Sequence, residues 1–175
     1  MSADASAQCD RAERIIRNAW QDLPAYDRCL LETIGASQWT IATAPLGSVI
    51  HDLLRSAGYA RLDGHAVRDL DLAVGVWISQ LRLVVINAQH PALADLDTNT
   101  YEAMLARVAW HEWAHALSVV RATRGDILAG EDLLQLAPAG VREFVRRGGY
   151  RRSEYAHELV AEIYALVRRV SGWSE

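Results

Sequence analysis

The sequence contains no lysine, so all 18 of its basic residues are arginine. A GC-rich coding genome accounts for this bias, and loss of lysine to escape modification inside a host cell, as in some translocated toxins, is the alternative hypothesis. The formal net charge is −4, which gives the chain no general attraction to polyanions. We therefore expect no nucleic-acid partner.

Cysteine and long apolar runs are scarce as well. Cys9 and Cys29 lie in separate segments and form neither a CxxC pair nor a zinc knuckle, so partly buried free thiols are expected. No apolar run reaches the roughly 18 residues of a membrane span, and the start "MSADASAQCDRAER" lacks the apolar region of a signal peptide. These absences predict a cytoplasmic protein as encoded, with no membrane partner, and leave delivery into another cell open.

The residues that are present predict one mostly helical domain over 1–175. Half of them are apolar, 51%, and 23% are charged, which is ordinary for a globular chain. The apolar spacing favours a small sheet whose main part is the hairpin "LAVGVWISQLRLVVINA", turning near Ser79 and Gln80. Helical patterns are predicted at 10–23, 24–36, 48–59, 100–123, within 131–147 and at 154–170. The fold class expected is α+β.

Several short signals mark where the C-terminal helices begin and end. Asn99 and Glu102 resemble a capping box at the start of the helix at 100–123. Gly148 and Gly149 are predicted to stop the helical segment that precedes them, and Ser153 to cap the last helix.

The motif "HEWAH" at 111–115 is the strongest functional signal. In an α-helix, residues four apart differ by about 40° in azimuth and about 6 Å along the axis, so His111 and His115 project from one face. This is the spacing of HExxH, in which both histidines bind zinc and the glutamate accepts a proton from water at the metal. Glu112 is the predicted base. The structural alternative is two histidines that serve only the packing of an alanine-rich helix.

A catalytic zinc site needs a third protein ligand. Residues 118–121 read "SVVR", so the extension HExxHxxGxxH is absent and the ligand lies further along the chain. Glu158 as ligand, with Glu162 orienting a histidine, fits a helix packed against the HExxH helix, and Glu154 is the alternative ligand. The full set of candidates is Glu131, Asp132, Glu143, Glu154, His157, Glu158 and Glu162.

"HEWAH" followed some forty residues later by "YRRSEYAHELVAEIYAL" resembles the gluzincin zinc metallopeptidases, most closely protease domains of the anthrax lethal factor type. The resemblance covers about 101–167 and implies a zincin-like fold. It also implies His111, His115 and Glu158 as zinc ligands, Glu112 as general base and Glu162 as the carboxylate that orients a ligating histidine. A tyrosine ahead of the glutamate helix would donate to the developing oxyanion. Tyr150 is our choice for it, and Tyr155 is the alternative.

The resulting hypothesis is a zinc-dependent endopeptidase that cuts one specific protein, either a toxin-like effector or a regulatory peptidase. Its peptide substrate would bind as an extended strand on a sheet edge, for which "LRLVVINA", pairing through residues 82–87, is the candidate. The alternatives are a zinc amidase or deformylase-like hydrolase of a small substrate, and a catalytically silent zinc-binding module. An open groove would favour the peptidase and a closed pocket the small-substrate enzyme. The role of residues 1–70 is left open.

Overall fold

The computed structural model of the chain describes residues 3–60, 62–124, 138–147, 150 and 155–171. These residues are mostly helical and contain one small sheet, which confirms the α+β class. In chain order the elements are α1 (Ala3–Gln21), α2 (Ala25–Thr33), β1 (Gln38–Ala42), α3 (Leu46–Ser56), α4 (Gly64–Asp71), β2 (Gly75–Ile78), β3 (Leu83–Asn87), a 3₁₀ turn (Pro91–Leu93), α5 (Thr98–Arg124), α6 (Ala139–Arg147) and α7 (Tyr155–Ser171).

The sheet has the strand order β1-β3-β2. β1 runs parallel to β3, and β2 is antiparallel to β3, so the predicted hairpin is confirmed. The prediction that residues 82–87 form the edge of the sheet is wrong, because β3 is the central strand. A short run of apolar residues is typical of a strand covered on both faces, and Val84, Val85 and Ile86 are all buried. The exposed edge beside α5 is β2.

Helices cover both faces of the sheet. Val84 and Ile86 of β3 pack into the main core, which α1, α2 and α5 complete. Val85 points to the other face and packs against α3. This alternation follows from the period of two residues in a strand.

The HExxH helix, α5, is fixed to the N-terminal helices by aromatic side chains. Trp113 is fully buried, and its ring centroid lies 5.1 Å from that of Trp20 and 5.9 Å from that of Trp39. The indole N–H of Trp110 donates to the carbonyl of Ala19 at 2.9 Å. The N-terminal segment therefore completes the core behind the candidate site.

Two details of the helix ends differ from the sequence prediction. The carboxylate of Asp97 accepts the backbone N–H groups of Asn99 and Thr100 at 3.0 and 3.1 Å, so Asp97 caps α5 and the predicted capping box is wrong. Asp97 comes first along the chain and satisfies those donors, and Glu102 pairs with Arg11 instead. Helix α4 is absent from the prediction because its eight residues bury none of their side chains.

Other sequence predictions have mixed outcomes. Cys9 is half-buried as expected, whereas Cys29 is exposed. No described helix combines the length and the apolar character that crossing a membrane requires. The proposed stop at Gly148 and Gly149, the cap at Ser153 and any helix at 131–137 lie outside the described residues.

A hydrogen bond from Tyr164 to Asp27 ties α7 to α2. The hydroxyl donates to the Asp27 carboxylate at 2.7 Å, and Asp27 is buried. We expect Tyr164→Phe to lower the free energy of unfolding by about 1–3 kcal/mol, since a buried acceptor loses a hydrogen-bond donor. Urea denaturation measures this difference. Tyr26→Phe is the control, because Tyr26 is exposed, and an equal loss in both variants would contradict the prediction.

Candidate metal and catalytic site

The facing sides of α5 and α7 bring two histidines and a glutamate together. The Nε2 atoms of His111 and His115 are 3.1 Å apart. The carboxylate of Glu158 lies 3.3 Å from His111 Nε2 through one oxygen and 3.5 Å from His115 Nε2 through the other. Ligands placed 2.0–2.1 Å from a tetrahedral zinc ion are about 3.3 Å apart. The three donors therefore have the separations of ligands to one metal ion.

The surroundings of these donors fit a divalent cation. One oxygen of Glu158, Oε2, is buried without a regular hydrogen bond, 3.3 Å from Nε2 of His111, and a buried carboxylate oxygen is stabilised by a cation beside it. The side chains of His111, His115 and Glu158 are exposed by only 12%, 20% and 14%. Two imidazole nitrogens and a carboxylate form the His₂Glu donor set of catalytic zinc. The residues that the sequence predicted as ligands thus meet at one point.

Glu162 contacts the outer side of the same cluster. Its Oε1 atom is 3.4 Å from Nδ1 of His111, the ring nitrogen that faces away from the other two ligands. Its Oε2 atom pairs with the guanidinium of Arg107. A carboxylate on the distal nitrogen fixes the tautomer in which Nε2 is free to bind a metal. Glu162 therefore lies where the sequence predicted a carboxylate that orients a histidine.

The charges in the cluster act on both histidines. Burial lowers the pKa of His111, but contacts with Glu158 and Glu162 outweigh it and raise that pKa to about 10. Burial together with the charge on His111 lowers the pKa of His115 to about 4. Without a metal, the two carboxylates thus hold a proton on one imidazole. The site stabilises positive charge at its centre.

Glu112 lies beside the cluster and faces the sheet edge. Its carboxylate accepts the backbone N–H of Trp77 in β2 at 2.8 Å. Burial raises the pKa of Glu112 to about 7, and the positive charge on His111 opposes that rise. A carboxyl group with a pKa near neutrality is well matched to accept and return a proton.

The backbone of β2 directs hydrogen-bonding groups away from β3 and towards the same space. The N–H of Asn87 donates to the carbonyl of Val74, so Val74 and every second residue after it form hydrogen bonds with β3. In an antiparallel pair, the backbone N–H and C=O groups of the residues in between point away from the partner strand. Gly75 and Trp77 are those residues, and the Trp77 N–H bond to Glu112 agrees with this direction.

Gly75 allows β2 to lie directly against α5. A Cβ atom at this position would be 2.5 Å from Cγ1 of Val108 and 3.3 Å from Cγ of Glu112. We expect Gly75→Ala to lower the free energy of unfolding by about 1–3 kcal/mol, because the strand must move away from the helix. Thermal or urea denaturation measures this. Gly140→Ala is the control, since its Cβ would meet no atom within 4 Å, and equal stability of both variants would refute the close approach.

Two cavities of about 270 and 490 Å³ share lining residues at the site, among them His111 and Glu112, and together they make a cleft between β2 and α5 on one side and Tyr150 with α7 on the other. Along α5 the cleft extends from Met104 to Val119, which corresponds to about 22 Å of helix. Exposed apolar side chains line it at Leu72, Phe144 and Val119. The cleft is an elongated groove with apolar walls.

Tyr150 lines both cavities and packs against the apolar contact of α6 with α7. Burial raises the pKa of its hydroxyl, and the negative charge of Glu158 raises it further, so the hydroxyl keeps its proton. The side chain of the alternative, Tyr155, lies outside the described residues.

The remaining ligand candidates are placed elsewhere or are not described. Glu143 is exposed on α6 and pairs with Arg147. His157 is exposed at the rim of the cleft. Glu131, Asp132 and Glu154 lie outside the described residues.

No family model, curated protein or solved structure matches the chain. The residues of the site and their arrangement are therefore the basis for a functional proposal.

Three residues at the site were not identified from the sequence. A glycine inside a strand often marks a close backbone approach, which was the available signal for Gly75. Arg107 precedes His111 by four residues and so lies on the same face of the helix, a spacing that would have indicated its proximity to the site. Trp77 contacts Glu112 through its backbone N–H, and the identity of a side chain does not predict such a contact.

Proposed function

We propose that this protein is a zinc-dependent endopeptidase with a gluzincin-type site. The observation that carries the proposal is the meeting of His111, His115 and Glu158 at ligand separations, with Glu112 next to them on the same helix. The order of parts also resembles a small zincin-like fold. An antiparallel edge strand lies beside the HExxH helix, and a glutamate-bearing helix packs on its other side.

In this proposal His111, His115 and Glu158 hold zinc, and Glu162 orients His111. Bound zinc supplies Lewis-acid chemistry, polarising a carbonyl group and lowering the pKa of water towards 7. Calcium and magnesium prefer six or more oxygen ligands, so two imidazoles favour zinc over them.

Glu112 takes the proton of the attacking water and later returns it to the leaving amine. Its raised pKa suits both transfers, because the group exchanges a proton near pH 7. Tyr150, protonated and at the cleft, donates a hydrogen bond to the oxygen that becomes negative when the carbonyl carbon is attacked.

The peptide binds in the cleft as an extended strand along β2, which replaces β3 as the proposed docking edge. The 22 Å groove accommodates about six or seven residues at about 3.3 Å each. The outward groups of Gly75 and Trp77 pair with its backbone. A substrate carbonyl that accepts the Trp77 N–H takes over the bond that Glu112 now makes, and this leaves the carboxylate for water.

The shape of the cleft favours a peptidase over a small-substrate amidase. A groove open along one strand supports binding of a chain, whereas a small molecule would be enclosed more completely. The intact Glu112, placed next to the ligands, argues against a silent zinc-binding module.

The test is digestion of a proteome-derived peptide library, with the new termini identified by mass spectrometry. We expect zinc-loaded protein to produce cleavage at a consistent sequence context. Phenanthroline should abolish it and added zinc should restore it. Release of acyl or formyl groups from small amides without any peptide-bond cleavage would favour the amidase, and zinc-loaded protein inert on both would overturn the enzyme assignment.

A further inference from the structure

The carboxylate of Glu162 is buried beside the candidate zinc site. One of its oxygens is directed at His111, and the other is directed away from the three ligand candidates. A buried carboxylate needs a positive partner, because an uncompensated buried charge is strongly unfavourable.

Arg107 is the one arginine among the described residues that line the cleft. Its guanidinium contacts Oε2 of Glu162, while Oε1 of the same carboxylate faces His111 Nδ1 at 3.4 Å. The charge on Arg107 is therefore joined through one carboxylate to a predicted zinc ligand.

Arg107 is itself held from several sides. Its guanidinium lies over the ring of Phe144 in α6, 5.3 Å from the ring centroid, and Nη1 is 4.0 Å from the sulfur of Met104. Only 21% of the side chain is exposed. The ring contacts the flat face of the guanidinium and the sulfur contacts its edge. An arginine held in this way can impose one orientation on the carboxylate that it binds.

We propose that Arg107 is a positioning residue for zinc binding, which acts by fixing the carboxylate of Glu162 against His111. It supplies a positive charge beside the buried carboxylate of Glu162, and it holds Glu162 in the rotamer that leaves His111 Nε2 free. This inference rests on the proposed zinc site. Arg107 touches neither the metal nor the scissile bond in this scheme.

The test measures zinc affinity by competition with a chromogenic chelator, in Arg107→Met and Arg107→Lys. Methionine retains an unbranched apolar stem and removes the charge, whereas lysine retains the charge without the planar fork. We expect Arg107→Met to weaken zinc binding by about 10- to 100-fold, the range for loss of an outer-sphere partner, and Arg107→Lys to recover part of it. Arg11→Met is the matched control, because it breaks an arginine–glutamate pair between α1 and α5, away from the site, and should not change zinc affinity.

A double-mutant cycle with Glu162→Gln separates positioning from general effects. Once Glu162 is replaced, Arg107→Met should cause little further loss of zinc affinity, because Arg107 acts through that carboxylate. The Nδ1–H signal of His111 in ¹⁵N NMR of the zinc-loaded protein should also exchange with solvent faster in Arg107→Met than in wild type.

The outcomes are distinguishable. Wild-type zinc affinity in Arg107→Met, or fully additive losses in the cycle, would overturn the role of Arg107 and leave the zinc site in place. Wild-type protein that binds no zinc would overturn the metal site and this inference together. Zinc binding without peptide hydrolysis would remove the peptidase proposal and leave the affinity measurements valid.

Discussion

Glu112→Gln is expected to lower peptide hydrolysis by about 10³-fold while zinc binding and folding are retained. The glutamine has the same shape and can still accept the Trp77 N–H, so the contact between α5 and β2 is preserved. What it cannot do is take a proton from water, and general-base catalysis contributes about 10²- to 10⁴-fold. The measurement is kcat/KM on a peptide that the wild-type enzyme cleaves, with zinc content determined on the same preparations.

Glu102→Gln provides the control for this variant. Glu102 lies on the same helix and forms a partly exposed pair with Arg11, so its loss tests for a general effect of removing a carboxylate from α5. We expect its kcat/KM to equal that of wild type. Undiminished turnover in Glu112→Gln would show that another group is the base, and loss of zinc in that variant would mean that Glu112 supports the metal site.

Glu158→Gln is expected to weaken zinc binding by more than the roughly 100-fold that loss of an outer-sphere partner costs. The substitution preserves the side-chain volume but removes the negative charge that balances zinc, so the two histidines are left with a neutral third donor. Near-stoichiometric zinc in wild type and almost none in the variant, measured by mass spectrometry after dialysis against a weak chelator, is the expected result. Added zinc should raise the melting temperature of wild type and not that of the variant, because ligands that bind the folded state stabilise it.

Two further variants make this experiment specific. Glu154→Gln tests the ligand that the sequence alone left as an alternative, and we expect it to retain zinc. Glu143→Gln removes an exposed carboxylate of α6 and should also retain it. If Glu154→Gln lost zinc and Glu158→Gln kept it, the third ligand would be Glu154 and not Glu158.

The sheet shows what local sequence patterns leave undecided. Both arms of the hairpin and its turn were predictable, because β-branched runs and a polar turn are local signals. Which arm lies at the edge depends on β1, which pairs with β3 from some forty residues earlier in the chain. That pairing is non-local, and it moved the proposed substrate edge from residues 82–87 to Gly75 and Trp77.

The sequence by itself determined the pair His111 and His115, the base candidate Glu112 and a mostly helical α+β chain, because all of these depend on the period of one helix and on local composition. The sequence also predicted Glu158 as ligand, with Glu154 as the alternative, and Glu162 as the carboxylate that orients a histidine. The contacts of Glu158 and Glu162 with the histidines, and the cleft along β2, depend on packing between elements distant in the chain. The pairing of Arg107 with Glu162 was also decided by tertiary packing. Arg107 and Glu162 are 55 residues apart, and only the packing of α5 on α7 brings them into contact.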